Sequence, residues 1–121
     1  MNYLIVTNNP SVKQHFKSAS YHDCSTLDIL IKTRNLLHQG FSLVTHPLCA
    51  NVKMMCSPFK SIVVAKNQKN NEVMSLEIIE SSILKLGKHL KQKGLDYLNE
   101  DDYKKLDLWF LKTALDELNI V

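Results

Sequence analysis

The sequence has few of the features that mark several large protein classes. Only three glycines and three prolines occur among 121 residues, and no glycine-rich phosphate loop is present, so a nucleotide cradle of the usual kinds is not expected. No apolar run approaches the roughly 18 residues that a membrane-spanning helix needs. Internal repeats and linker-like segments are also missing. We therefore expect one globular domain that covers residues 1–121.

Cysteine and net charge exclude further classes. The three cysteines are odd in number and fit no disulfide framework, so we expect reduced thiols and a cytoplasmic location. The apolar run that follows Met1 is too short for a secretory signal, and we expect no targeting segment. The net charge of +3 comes from 15 basic and 12 acidic residues. That balance falls well short of a nucleic-acid-binding footprint, so we expect neither nucleic acid nor a membrane as a partner.

What the sequence does contain is an alternation of strand and helix patterns. The apolar run 3–7 predicts a buried strand, and Asn9-Pro10 predicts a helix start, because Asn caps free N–H groups and Pro has none to cap. Further strands are predicted at residues 21–25, 41–45 and 60–65, although the first of these could instead be a loop. Gly40 is predicted to end the second helix in a left-handed conformation.

The last two helix patterns follow each other without a strand between them. The first covers roughly residues 72–91 and carries an apolar stripe formed by Leu76, Ile79, Ile83, Leu86 and Leu90. The second begins near residue 100 and is apolar over most of its circumference. Its predicted stripe is Tyr103, Leu106, Trp109, Phe110, Ala114 and Leu118. Such a helix is buried on several sides, or it lies in a subunit interface.

The order of the elements predicts an α/β layer fold. We expect a mainly parallel sheet of about four strands flanked by helices, ending in two consecutive C-terminal helices. The connection over residues 46–59 carries no helix pattern. The direction of the fourth strand therefore stays open between parallel and antiparallel.

Polar residues follow two of the predicted strands. Thr7 ends the first strand and Asn8 and Asn9 follow it, while Thr45 ends the third strand and His46 follows it. Ligands of open parallel sheets bind beyond the carboxyl ends of strands, so the two turns meet if these strands are neighbours. Amides, hydroxyls and a helix N-terminus suit a small anion such as a carboxylate or phosphate. We predict these five residues as ligand-binding; the alternative is that Asn-Asn-Pro is only a cap and turn.

His46 is the best single candidate for acid–base chemistry, because the pKa of histidine ordinarily lies near neutrality. No serine, cysteine or carboxylate stands at a spacing that identifies a partner, and the alternative is an imidazole that hydrogen-bonds its own loop. His46, Cys49 and Cys56 could supply three metal ligands, yet their spacing matches no standard zinc pattern. We predict no catalytic residue, no metal and no cofactor.

Several turn motifs occur along the chain, namely Thr7-Asn8-Asn9-Pro10, Gly40, Thr45-His46-Pro47-Leu48 and Pro58-Phe59-Lys60-Ser61. Together they resemble the motifs of the GrdX family. Proteins of this family are small and are encoded with the glycine reductase system of anaerobic, amino-acid-fermenting bacteria. The resemblance implies an accessory or regulatory role in that metabolism and carries over no catalytic residue.

Three functions are compatible with these patterns. The first is a non-catalytic accessory protein that binds a small anionic metabolite at the strand-end turns. The second is a homodimer, or a module that binds an enzyme subunit, formed through the C-terminal helices with no small-molecule ligand. The third is an enzyme that uses His46 as acid or base, and we rank it last.

Overall fold

The structure of the chain, a computed structural model, describes residues 3–48, 52–66 and 72–118. In chain order the elements are β1 (Tyr3–Thr7), α1 (Pro10–His15), β2 (Ser20–Tyr21), α2 (Thr26–His38), β3 (Phe41–Leu43), a 3₁₀ helix (Val52–Cys56), β4 (Ser61–Lys66), α3 (Glu72–Lys93) and α4 (Glu100–Glu117). These strands form one four-stranded sheet in the order β2-β1-β4-β3. An α/β fold that ends in two consecutive helices is therefore confirmed.

The prediction of a mainly parallel sheet is wrong, because the sheet is mixed. β1 runs parallel to β2, whereas β4 runs antiparallel to both β1 and β3. The reason lies in the connection from β3 to β4, whose only described helix is the short 3₁₀ helix Val52–Cys56. A parallel strand needs a crossover that carries the chain back to the opposite edge. Here β4 starts at the edge where β3 ends, and it returns antiparallel.

β1 and β3 are not neighbours, because β4 lies between them. Since β4 is antiparallel to each of them, β1 and β3 still point in the same direction. Their carboxyl ends therefore lie on one edge of the sheet, with the start of β4 between them. The pairing of Thr7 with Ser61 marks this edge.

Helices cover both faces of the sheet. The alternation of side chains along β4 divides the core, since successive residues of a strand face opposite sides. On one face Ile62 and Val64 join a cluster with α2 and α3 that includes Ile29, Leu30, Leu37, Ile79 and Leu86. On the other face Val63 joins a cluster with α1 and α4 that includes Val12, Leu111 and Leu115. In the described ranges, none of the helices is long and apolar enough to cross a membrane.

Local signals place several element ends as predicted. The Asn9 Oδ1 caps α1 by accepting from the Ser11 N–H at 3.0 Å, and Ser25 caps α2 in the same way. Gly40 follows α2 with a φ of 101°, and Gly94 follows α3 with a φ of 67°. Both conformations are ones that residues with a Cβ rarely adopt.

The side of α4 that faces the core differs from the predicted apolar stripe. The helix buries Asp107, Leu111 and Leu115, whereas Trp109 is 58% exposed and Leu106 is 41% exposed. Apolar residues nearly surround this helix, so their spacing does not decide which side faces inward. The inward side carries Asp107, which accepts hydrogen bonds from Ser61 and Asn9, together with Leu111 and Leu115 of the core.

Candidate functional site

A chain of hydrogen bonds joins the ends of β1 and β4 to α4. The Asn9 N–H donates to Thr7 Oγ1 at 3.0 Å, and Thr7 Oγ1 lies 2.7 Å from Ser61 Oγ. Ser61 Oγ donates to Asp107 Oδ2 at 2.6 Å. A hydroxyl has one proton, and that of Ser61 is used on the carboxylate. Thr7 must therefore donate to Ser61, and every bond of the chain points toward Asp107.

The carboxylate of Asp107 is buried, with only 8% of the residue exposed. Asn9 Nδ2 donates a second hydrogen bond to Asp107 Oδ2 at 3.1 Å. Burial raises the pKa of Asp107 above its usual value, while hydrogen bonds from Ser61 and Asn9 and the positive charge of Lys60 act in the opposite direction. The 2.6 Å distance from Ser61 is one that hydroxyls make with ionised carboxylates.

A cavity of about 180 Å³ opens beside this carboxylate, and we call it the Asp107 cavity. Its polar lining consists of Thr45, His46, Lys60, Ser61 and Asp107. Its apolar lining consists of Pro47, Met54, Phe59, Phe110, Leu111 and Ala114. Cavities of about 150 Å³ hold benzene, and drug-sized ligands need roughly 300 Å³ or more. The Asp107 cavity therefore suits a small metabolite and is too small for a nucleotide.

Lys60 brings a positive charge to the same cavity. The residue is only 8% exposed, and its backbone N–H donates to Asn8 Oδ1 at 2.8 Å. Its charge lowers the pKa of Asp107, against the larger effect of burial. The Asp107 cavity thus contains one buried basic side chain and one buried acidic side chain.

Two of the five predicted site residues, Thr45 and His46, line the Asp107 cavity. Thr45 Oγ1 accepts from the Val63 N–H at 3.0 Å. His46 is exposed, and its Nδ1 lies 3.0 Å from the Leu48 nitrogen and 2.9 Å from the Leu48 oxygen. The imidazole therefore bonds its own loop through Nδ1, which leaves Nε2 for a ligand. A role for His46 as acid or base stays a prediction.

Thr7 and Asn9 lie behind the cavity lining and are fully buried. In this geometry they hold Ser61 and Asp107 in place. Asn8 is directed elsewhere, because its Nδ2 donates to the Cys24 and Pro58 oxygens, each at 2.9 Å. The five predicted residues therefore share one edge of the sheet, as expected. Ligand contact by Thr7, Asn8 and Asn9 stays a prediction.

A second cleft of about 430 Å³ lies on the other side of Asn8. Tyr21, Asp23, Tyr97, Glu100 and Lys104 are among the residues that line it. The Lys104 Nζ lies 3.6 Å from a Glu100 carboxylate oxygen and 5.5 Å from the centre of the Phe59 ring. None of the charged residues lining this cleft is buried, so it is the weaker candidate for selective binding.

Metal ligation finds no support in the described ranges. No group of three or more histidine, cysteine, aspartate or glutamate side chains is placed there to hold a metal ion. Cys49, one of the candidate ligands, lies outside the described residues. Cys56 Sγ lies 3.4 Å from the Nε2 of His89 on α3.

Lys60 and Ser61 stand in the motif Pro58-Phe59-Lys60-Ser61 but are not among the predicted site residues, and Asp107 stands in no motif. Lys60 and Ser61 precede or begin β4, and an antiparallel β4 places them beside Thr7. Asp107 carried a signal of its own, because it is a lone acid between Leu106 and Leu108 in an apolar segment. Acids are almost never fully buried unless they are paired, so an acid at such a position points to a buried polar partner.

Comparison with known proteins gives a family. A family model described as GrdX-like protein matches residues 4–116, nearly the whole chain. No curated protein and no solved structure matches the chain. The matched range contains every residue of the hydrogen-bond chain, from Thr7 to Asp107. The resemblance carried by the turn motifs is therefore confirmed.

Proposed function

This chain belongs to the GrdX-like protein family, and on that premise we propose that it is an accessory protein of anaerobic glycine reduction that binds a small carboxylate metabolite. The family name supports the metabolic link. The size and charges of the Asp107 cavity support the binding. In this proposal the protein regulates or assists the pathway and does not perform the reduction.

The observation that carries the binding proposal is the buried Lys60 on the wall of a small cavity. Only 8% of the surface of Lys60 is exposed, and lysine is rarely buried to this degree. Charge interactions are screened far less in such a place than at the surface, so an anionic group is attracted to this end of the cavity. Thr45 and His46 add a hydroxyl and an imidazole to the same lining.

Titration calorimetry with short-chain carboxylates, and with inorganic phosphate as a different anion, tests this proposal. We expect saturable binding of at least one carboxylate that is lost in Lys60→Met. Lys105→Met is the matched control, because Lys105 is exposed on α4, and it should bind like the wild type. His46→Ala is a second lining variant at an exposed position. If no carboxylate binds the wild-type protein, the binding proposal is refuted.

A second candidate function is self-association through α4, with a second copy of this chain as the partner. Leu106, Trp109 and Phe110 are exposed on this helix, and the two aromatic rings form an edge-to-face pair with centres 5.2 Å apart. Exposed Trp and Phe are typical of interface cores. A two-fold dimer needs only one self-complementary patch of this kind.

Light scattering coupled to size exclusion tests this second candidate. We expect a dimer for the wild type and a monomer for Trp109→Ala. Leu84→Ala is the control, since Leu84 is a large exposed residue on α3. A wild-type protein that stays monomeric at high concentration refutes self-association.

A further inference from the structure

We infer that the ligand of the Asp107 cavity carries a compact hydrocarbon body, branched or cyclic, of about four to six carbons. The inference rests on the proposed function, because it names which small carboxylates fit the same cavity. Acetate, whose body is a single methyl group, would leave most of the cavity unfilled.

The first step is the carbon surface that the cavity presents. Apolar residues outnumber polar ones in its lining. Among them, Met54 is 7% exposed and Leu111 is 5% exposed, so both belong to a buried wall. Placing hydrocarbon against such a wall removes apolar surface from water, and the gain grows with the area that is covered. The lining therefore favours a ligand with an apolar body.

The second step concerns the polar groups of the lining, several of which are already bonded within the chain. Asp107 Oδ2 accepts from Ser61 at 2.6 Å and from Asn9 at 3.1 Å. Thr45 Oγ1 accepts from the Val63 N–H at 3.0 Å. A ligand rich in hydroxyl or amide groups would bury some of them without partners, and each such group weakens binding. The lining therefore disfavours sugars and polyols.

The third step is that the apolar walls are fixed before a ligand arrives. Leu111 belongs to the core cluster that also contains Val63 of β4. The Phe59 backbone is held by Ser57, whose Oγ accepts from the Phe59 N–H at 3.1 Å and donates to the Phe59 oxygen at 3.0 Å. Walls that are already ordered lose little freedom on binding. The shape of the cavity therefore selects its ligand.

The volume of the cavity sets the size of the ligand body. The Asp107 cavity measures about 180 Å³, and an apolar cavity of about 150 Å³ holds benzene. A single ring or a branched chain thus fills the space. A fused ring system exceeds it.

Calorimetry on the whole chain with a graded series of carboxylates tests the inference. The series is acetate, butanoate, 3-methylbutanoate and benzoate, which share the carboxylate and differ in the hydrocarbon body. We expect the affinity to rise roughly threefold to fourfold per added methylene. Benzoate and 3-methylbutanoate should therefore bind at least about tenfold more tightly than acetate. The heat capacity change of binding should become more negative along the series, because more apolar surface is buried.

A variant that fills the cavity tests where the hydrocarbon body lies. Ala114 lines the cavity from α4, and Ala114→Leu places extra carbon in the space that the body needs. We expect this variant to bind benzoate at least about tenfold more weakly than the wild type does, with little change for acetate. Thr113→Leu is the matched control, because the neighbouring Thr113 is outside the lining. It should bind both probes like the wild type.

The outcomes separate the inference from the function on which it rests. If acetate binds the wild type as tightly as 3-methylbutanoate and benzoate do, the inference is overturned while carboxylate binding stands. If none of the four carboxylates binds, both are overturned. If 3-methylbutanol binds as tightly as 3-methylbutanoate, the apolar body stands and the carboxylate of the proposed function is overturned. Should Ala114→Leu fail to fold by circular dichroism, the wild-type heat capacity changes decide, and equal values for acetate and benzoate overturn the inference.

Discussion

Replacing Asn8 with alanine is expected to destabilise the protein strongly, although the side chain belongs to a turn. Its amide makes three hydrogen bonds across long stretches of sequence. Its oxygen accepts from the Lys60 N–H at 2.8 Å, and its nitrogen donates to the Cys24 and Pro58 oxygens at 2.9 Å. One side chain thus holds the segment before β4 against the end of β1 and the loop before α2.

The magnitude follows from which partners stay buried. The Lys60 N–H and the Pro58 oxygen make buried bonds with Asn8, whereas the Cys24 bond is only partly buried. A buried group that loses its partner costs about 1–3 kcal/mol, and a partly buried one costs less because water replaces the bond. We expect Asn8→Ala to lower the free energy of unfolding by about 2–4 kcal/mol. The total free energy of unfolding of a domain of this kind is typically only about 5–15 kcal/mol.

Urea denaturation followed by circular dichroism measures this loss. With an m-value of about 1.5 kcal/mol per molar urea, the midpoint should fall by roughly 2 M. Asn35→Ala is the control, because Asn35 is exposed on α2, and its effect should stay within about 0.5 kcal/mol. A loss below about 1 kcal/mol in Asn8→Ala would show that these bonds do not support the turn.

Two further predictions concern Asp107 and the glycines. The pKa of Asp107 is raised by burial in the folded state, so its contribution to stability is greatest below about pH 4 and is lost as the pH rises through that raised pKa. Urea titrations at a series of pH values measure the free energy of unfolding of the wild type and of Asp107→Asn. The wild-type value minus the Asp107→Asn value should fall as the pH rises, by about 1.4 kcal/mol per unit of pKa elevation. A difference that stays flat or rises with pH contradicts this prediction. Gly40→Ala should destabilise by about 1–2 kcal/mol, because φ is 101° there. Gly87→Ala should stabilise by about 1 kcal/mol, because Gly87 lies inside α3 and an added Cβ meets no described atom within 4 Å. If thermal melts show that Gly40→Ala and Gly87→Ala shift the melting temperature in the same direction, this pair of predictions is refuted.

Features set by neighbouring residues were predictable from the sequence. The Asn9-Pro10 helix start, the left-handed Gly40 and the stripe of α3 all depend on contacts within a few positions. β1, β3 and β4 differ from the predicted strands at most at their ends, whereas the strand predicted at 21–25 shares only Tyr21 with β2. β2 is only two residues long and β3 only three, and such short edge strands leave a weak pattern.

Features set by distant contacts were not predictable. The direction of β4 depends on the path of the loop over residues 46–59, which has no period of its own. The inward side of α4 carries Asp107, whose partners Ser61 and Asn9 lie 46 and 98 positions away. General rules for α/β folds predicted which edge of the sheet carries the candidate site. The acid in its cavity was not predictable, because Asp107 stands in no motif, and Lys60 stood in a turn motif that did not show which groups it would meet.

The bond between Asn9 and Asp107 spans 98 positions of the chain, and this separation affects how the protein is made. Contacts between residues this far apart in sequence carry a large loop-closure cost and slow folding. Until α4 has been synthesised, Val63 lacks the cover of Leu111 and Leu115, and the nascent chain presents an apolar sheet face. The Asp107 cavity is likewise absent until α4 is made, because Asp107, Phe110, Leu111 and Ala114 of its lining belong to that helix, so only the nearly complete chain can form it.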